Sequence, residues 1–519
     1  MRFLDEYGVD VRFDEAIAGS DGCRLSVNMF RPNGIRPSAT VIVWTPFGNG
    51  RSTPLGPSPV PSLGSPRHCR RLAAAAQVTV VSVDIRGRGD SDGEFVPFVH
   101  EQADADAVVT ALAGHPWCAG PVVVMGQGYG AACAVAAARN ATGLVTAAFL
   151  ISPPGGPGEV FPGRDGVRRA DLLVWRHLMA GRHPLPTGFA DWAEVLTRPW
   201  QEQEHGLGHE NLGWADFGAT AAGLPGDAPL PVPVTILTGW WDPACRPSWA
   251  LARSCPDAEL VVGPWTAYAA RHPSQHVGGI DWGPGSVVDP LELQVDLLHR
   301  ASEPARRTRV FVTGDNAWHD LPRTPSTVEW TLRPSSSRGA WTTAGDGQLA
   351  DTAGTGADEF TSDLADPVPA QPSLGQAVSP SAPAQLDLTF VDGRHDVLVY
   401  TSAPLPAPRL VLGELTLELD ADSDSPAEAL WVASVEDVFP GGTASLHLAL
   451  GVAAVRPGER KAVLRLGPIG HRFLPGHRVR LRLAATCAPL FRPADHVPAR
   501  EQRRVHHAGT ALRLPEVVR

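Results

Sequence analysis

Lysine is almost absent: Lys461 is the single one among 44 basic residues, the rest being arginine. No basic cluster stands out and the formal net charge is −11. A phosphate backbone demands a basic footprint, so a nucleic-acid partner is excluded. The seven cysteines are odd in number, scattered and without a CxxC, so they form neither a disulfide framework nor a zinc site and are expected as buried thiols. No apolar run reaches the roughly 18 residues that would span a membrane. The opening MRFLDEYGVDVRFDE has neither a basic n-region nor an apolar h-region. A cytoplasmic protein without a membrane partner is expected. No phosphate loop or dinucleotide fingerprint occurs, since GRGDSDG follows a strand but lacks the spacing and the helix start. His205 and His209 are four apart beside Glu204 and Glu210, but HGLGH holds two glycines and lacks the H-E-x-x-H base. Neither a cofactor nor a metal is expected.

What is present supports a large core. The chain has 519 residues, 43% of them hydrophobic and 19% charged, enough for two or three domains. Residues 39–47, 78–84, 122–126 and 144–154 read as buried strands, and HEQADADAVVTALAG (100–114) as a helix with acidic first turns. Strands alternating with helices imply a largely parallel sheet covered on both faces. Residues 155–228, rich in Trp, His, Arg and Pro, read as a helical insertion capping that sheet. The sheet resumes at 232–249 and 258–265, a helix follows at 291–301, and 309–318 reads as the last core strand. Beyond about 326 come Ser/Gly/Pro-rich turns and short alternating strands without an evident helix, as in a β-sandwich or jelly roll. The expected boundaries are 1–154 and 229–325 for the α/β core, 155–228 for the cap and 326–519 for the β domain.

Several motifs carry more information. DIRGRGDSDGEF (84–95), HEQADADAVV, HPWCAG (115–120), TGWWD (238–242), VVGPW (261–265), DVLVYTS (396–402), SVEDVFPGG (434–442) and FLPGHRVRL (473–481) follow one another along the chain. In this order they resemble the bacterial cocaine-esterase and X-Pro dipeptidyl-peptidase family of α/β-hydrolases, nearly end to end. The resemblance implies an α/β-hydrolase core with an inserted helical cap and a C-terminal all-β jelly-roll domain, and a pocket where the three meet.

Carried over residue by residue, the catalytic motifs differ. VVVMGQGYGAACAVAAA (122–138) has the strand–turn–helix layout of a nucleophile elbow, but the family's G-x-S-Y-x-G is G-Q-G-Y-G-A here. Gly128 stands at the nucleophile position, and its neighbour Gln127 is a poor nucleophile. Cys133 lies further along the helix and should point into packing. The family's G-P-W-S-H is G-P-W-T-A, so Ala267 stands at the triad histidine, with His272 five residues on as a substitute base. Phe47 replaces the oxyanion-loop tyrosine and has no hydroxyl to donate, whereas the backbone N–H of Tyr129 is retained. Asp242 matches the triad acid. It either bonds backbone amides and water or, raised by burial, works as an acid or base.

The expected function is therefore a reassigned, non-hydrolytic enzyme of cyclase, isomerase, epimerase or lyase type in specialised metabolism. It would act on a hydrophobic small molecule in a shaped pocket. Asp242, Tyr268 and His272 are its candidate acids and bases, with His205 and His209 in the cap. Gly128, Ala267, Phe47, Tyr129 and Gln127 would line the pocket, and Trp175, Trp240 and Trp241 would bind substrate. Trp192, Trp200 and Trp214 belong to the same tryptophan-rich set. Two other readings stand beside it: a small-molecule binding protein or pseudoenzyme partner, and a weak ester or peptide hydrolase using a non-standard base.

Overall fold

The computed structural model describes residues 7–49, 63–139, 143–156, 163–164, 167–185, 194–195, 202, 206–208, 228–266, 274–300, 306–322, 325–370, 386–491 and 497–518. Ten strands form one sheet: β1 (Val9–Ala18), β2 (Arg24–Pro32), β3 (Thr40–Thr45), β4 (Thr79–Asp84), β5 (Val122–Gln127), β6 (Val145–Ile151), β7 (Val234–Trp241), β8 (Ala258–Thr266), β9 (Arg307–Val312) and β10 (Ala317–Pro322). Their order is β1-β2-β4-β3-β5-β6-β7-β8-β9-β10. From β4 to β9 every neighbouring pair is parallel. The central strands are near-continuous runs of Val, Ile and Leu, and β3, β4, β7 and β8 are buried along their whole length. That is the pattern of parallel strands covered on both faces.

The sheet extends beyond the alternating stretch. β1 and β2 add antiparallel strands at one edge, and β10 hairpins back from β9 at the other. The expected last core strand at 309–318 thus divides into β9 and the start of β10. The break is the turn Thr313–Asn316, where Gly314 has a φ of +91°; a Cβ there would lie 2.2 Å from the Arg472 carbonyl oxygen.

The covering helices are α1 (Pro66–Ala76), α2 (Glu101–Ala113), α3 (Tyr129–Ala138), α4 (Ala170–Met179), α5 (Cys245–Ser254) and α6 (Pro290–His299). Ser65 caps α1 by accepting the His68 N–H, and Asp289 caps α6 by accepting that of Leu291. α4 lies within the insertion read as a cap.

Eleven further strands, from Thr327–Ser335 to Ala511–Val517, form a β-rich unit whose described residues include one short helix, Thr389–Asp392. It packs directly on the α/β core. The Trp240 indole N–H donates to Phe311 O at 2.7 Å and its ring lies against Gly470, where a Cβ would stand 2.4 Å away. The Trp241 indole N–H donates to His447 O at 3.0 Å and its ring stacks on Trp282. Buried His471 bridges Thr313 Oγ1 (2.8 Å) and Asp437 Oδ2 (3.1 Å). Among the described residues no helix is long and apolar enough to cross a membrane, and no group of three or more His, Cys, Asp and Glu is arranged to hold a metal ion.

Candidate active site

The chain runs from β3 to β4 on one side of the sheet and then to β5 on the other. The carboxyl ends of β3 and β5 therefore flank a topological switch point, where open α/β sheets place their ligands. Along this carboxyl edge of the sheet lie Phe47 after β3, Asp84 ending β4, Gln127 ending β5 with Gly128 next to it, Ser152 after β6 and Asp242 after β7.

The elbow is built as an elbow. Gly128 has φ 54° and ψ −120°, a conformation that disfavours a side chain, and opens α3. Its flanking glycines are required by close approach: a Cβ on Gly126 would lie 2.0 Å from Gly130 O, and one on Gly130 2.3 Å from Trp44 O. Tyr129, the first residue of α3, is buried. Its phenol hydrogen-bonds the Glu101 carboxylate and accepts the Phe98 N–H at 2.9 Å. Its ring stacks on Trp175 of α4, with centroids 5.6 Å apart, and meets the edge of Phe95. Trp175 therefore rests on the residue that follows Gly128 in the elbow. Cys133 is buried in α3 and burial drives its thiol well above the ordinary range.

Burial pushes the Glu101 carboxyl up to about 7, against hydrogen bonds from the Tyr129 hydroxyl and from backbone N–H groups that favour the charged form. The unfolded chain releases this proton near 4.5, so between the two values the native state holds a proton that the unfolded state has lost. Stability contributed by this group is full below about 4.5, falls as pH rises to about 7, and is flat above. Glu101→Gln is expected to gain on the wild type by roughly 2–3 kcal/mol across that window, read as urea midpoints at pH 4.5 and pH 8.

The loop after β4 joins the sheet to the cap. Arg86 forms a buried ion pair with Asp104 of α2 (2.7 Å), bringing two of the sequence motifs together. Arg88 is fully buried. Its Nε donates to Pro46 O at 2.9 Å and its Nη1 to Met179 O, the last residue of α4, at 3.0 Å. Gly89 N donates to Arg182 O at 2.8 Å. At its other end α4 is tied to the β unit, the Ala170 N–H donating to Leu490 O at 2.8 Å. Burial raises Asp84 to about 7 and lowers Arg88 to about 10.

Asp242 is 5% exposed. Its Oδ1 accepts the Ala244 N–H at 2.8 Å, and its Oδ2 accepts the Ser152 hydroxyl. The sequence alone left this carboxylate without a side-chain partner once the histidine position had become Ala267; the fold supplies one from 90 residues away in the chain. Ser152 was not singled out from the sequence. Its signal is faint: a serine ending the strand after the elbow helix, just before Pro153 and Pro154.

Of the other predicted site residues, Phe47 lies half-buried after β3, its N–H bonded to Thr45 Oγ1 at 3.2 Å, and Gln127 is half-buried at the end of β5. Trp240 and Trp241, 7% and 4% exposed, are committed to the seam between the core and the β unit rather than brought together with Trp175. Ala267, Tyr268, His272, His205, His209, Trp192, Trp200 and Trp214 lie outside the described residues.

A parallel sheet with a glycine-flanked elbow at its switch point and an acid ending β7 defines an α/β-hydrolase core. Residues 21–276 match the model of the X-Pro dipeptidyl-peptidase S15 family, and residues 300–511 that of the X-Pro dipeptidyl-peptidase C-terminal non-catalytic domain. The chain belongs to this family. It is 26% identical to a cocaine esterase of Rhodococcus sp. (strain MB1 Bresler), over 91% of this chain and 90% of that one. Among solved structures it is similar to an aminopeptidase from a marine sediment Thaumarchaeota archaeon (20% identity, TM-score 0.83, 100% and 98% coverage). It is also similar to an α-amino acid ester hydrolase (19% identity, TM-score 0.78, 99% and 98% coverage).

These findings correct the expected function. The family is one of hydrolases, and the relatives carry the names of an esterase, an aminopeptidase and an ester hydrolase, so the reading as a non-hydrolytic cyclase, isomerase, epimerase or lyase of specialised metabolism is overturned. That reading equated the changed elbow and histidine positions with loss of hydrolysis. The fold brings a hydroxyl, that of Ser152, to Asp242.

Proposed function

We propose that this protein hydrolyses ester or amide bonds of a hydrophobic small molecule, with Asp242 as a non-standard base. The observation that carries the reading is the buried Asp242 carboxylate, hydrogen-bonded to a serine hydroxyl at the switch-point edge of the sheet. Membership of a peptidase family and the 26% identity to an esterase support the bond type. The ring of Trp175 over Tyr129, with Phe95 against both, favours an apolar substrate group beside the elbow. A carboxylate is a weaker base than imidazole towards a hydroxyl, so turnover below that of a Ser-His-Asp hydrolase is expected.

The test is steady-state release of p-nitrophenol from p-nitrophenyl acetate and butyrate, and of p-nitroaniline from aminoacyl anilides. Turnover above the buffer rate on either series, saturating with substrate, is the expected result. Absence of turnover on both would overturn the proposal.

A further inference from the structure

The serine bonded to Asp242 has an unusual backbone. Ser152 has a φ of +49°, in the left-handed region that non-glycine residues seldom occupy. It is 4% exposed, and its N–H is held by Leu237 O at 2.9 Å, which fixes it between β6 and β7. Strain of this kind persists only where the surroundings over-determine it, and it concentrates at functional positions. The register places Gln127 opposite Ile151, and Gly128 N donates to Ile151 O at 2.9 Å. Ser152 therefore stands one strand over from Gly128, at about the 4.8 Å spacing of neighbouring strands. Gly128 places no side chain of its own between the elbow and Ser152.

We propose that Ser152 Oγ is the nucleophile of this hydrolase, displaced from the elbow to the neighbouring strand; the assignment rests on the hydrolytic reading above. As Oγ bonds to the substrate acyl carbon, its proton passes to Asp242 Oδ2 and the carbonyl electron pair moves onto oxygen. The N-terminus of α3, which begins at Tyr129 after the elbow, is the source of positive potential assigned to that oxygen. Collapse breaks the bond to the leaving alkoxide or amide, which takes the proton from Asp242. Water then attacks the acyl-Ser152 ester and gives a proton to Asp242. Ser152 Oγ departs and recovers that proton. The net reaction is ester or amide plus water giving acid plus alcohol or amine.

The experiment uses the full chain, as wild type and as Ser152→Ala and Ser152→Gly; glycine tolerates the positive φ and keeps the fold testable. Each is treated with a fluorophosphonate, which phosphonylates an activated serine with loss of fluoride. Each is then mapped by peptide mass spectrometry, and p-nitrophenyl acetate turnover is measured alongside. The expected result is one adduct, on the wild-type peptide containing Ser152, and a loss of kcat of at least about 100-fold in both folded variants. An adduct on another residue, or wild-type turnover in folded Ser152→Gly, would overturn this assignment and leave the hydrolytic reading standing. A wild type with neither turnover nor adduct would remove both.

Discussion

Asp242→Asn should lower kcat for p-nitrophenyl ester hydrolysis by about 10²–10⁴-fold, the usual worth of a positioned acid or base. The substitution is nearly isosteric. The retained amide oxygen can still accept the Ala244 N–H, and the new NH₂ can donate to Ser152 Oγ where Oδ2 accepted before. What is lost is the site that receives a proton. The urea midpoint should therefore move little while kcat falls and KM stays within a few-fold. Equal losses of stability and activity would instead assign Asp242 to the turn Asp242–Cys245, where its own carbonyl also accepts the Cys245 N–H at 2.8 Å.

Trp240→Ala should cost about 3–5 kcal/mol of stability, the range for emptying a buried tryptophan site. Its ring fills the seam against Gly470 and packs on Trp249, and its N–H satisfies Phe311 O. No side chain at position 470 can move in, because that residue is the glycine that made room for the indole. KM should be nearly unchanged in the folded fraction, and Trp240→Phe should recover most of the stability. A substrate wall would behave in the opposite way, with KM rising and the denaturation midpoint unmoved. Denaturant titration beside a KM measurement separates the two roles.

The contrast between Trp240 and Trp175 shows what is legible in such a sequence. Parallel strands, their order along the chain and the β-rich unit follow from apolar runs and turn residues, because buried strands need Val, Ile and Leu whatever their neighbours. The elbow is legible too, since Gly126 and Gly130 are demanded by backbone contacts that any residue with a Cβ would break. A tryptophan, by contrast, suits a seam as well as a pocket, and only the packing partner decides. The edge strand β1 is hard to read because its burial pattern is irregular, with a register shift between Arg12 and Glu15. Ser152 escaped because its meaning lies in a carboxylate 90 residues onward and in a φ that composition does not disclose. Motifs report the machinery a chain shares with its relatives. A function moved to the next strand leaves no motif behind.

The Arg88 guanidinium has a mechanical consequence. One planar, rigid group grips the carbonyl beside Phe47 with one nitrogen and the end of α4 with another. The loop after β3 and helix α4 are thus hung from a single strut. A substrate that needs α4 to lift must either break the bond at Met179 or drag Pro46 along with it. Entry and alignment are linked, and bulk in the acyl group would be resisted through misaligned chemistry as well as through lack of space.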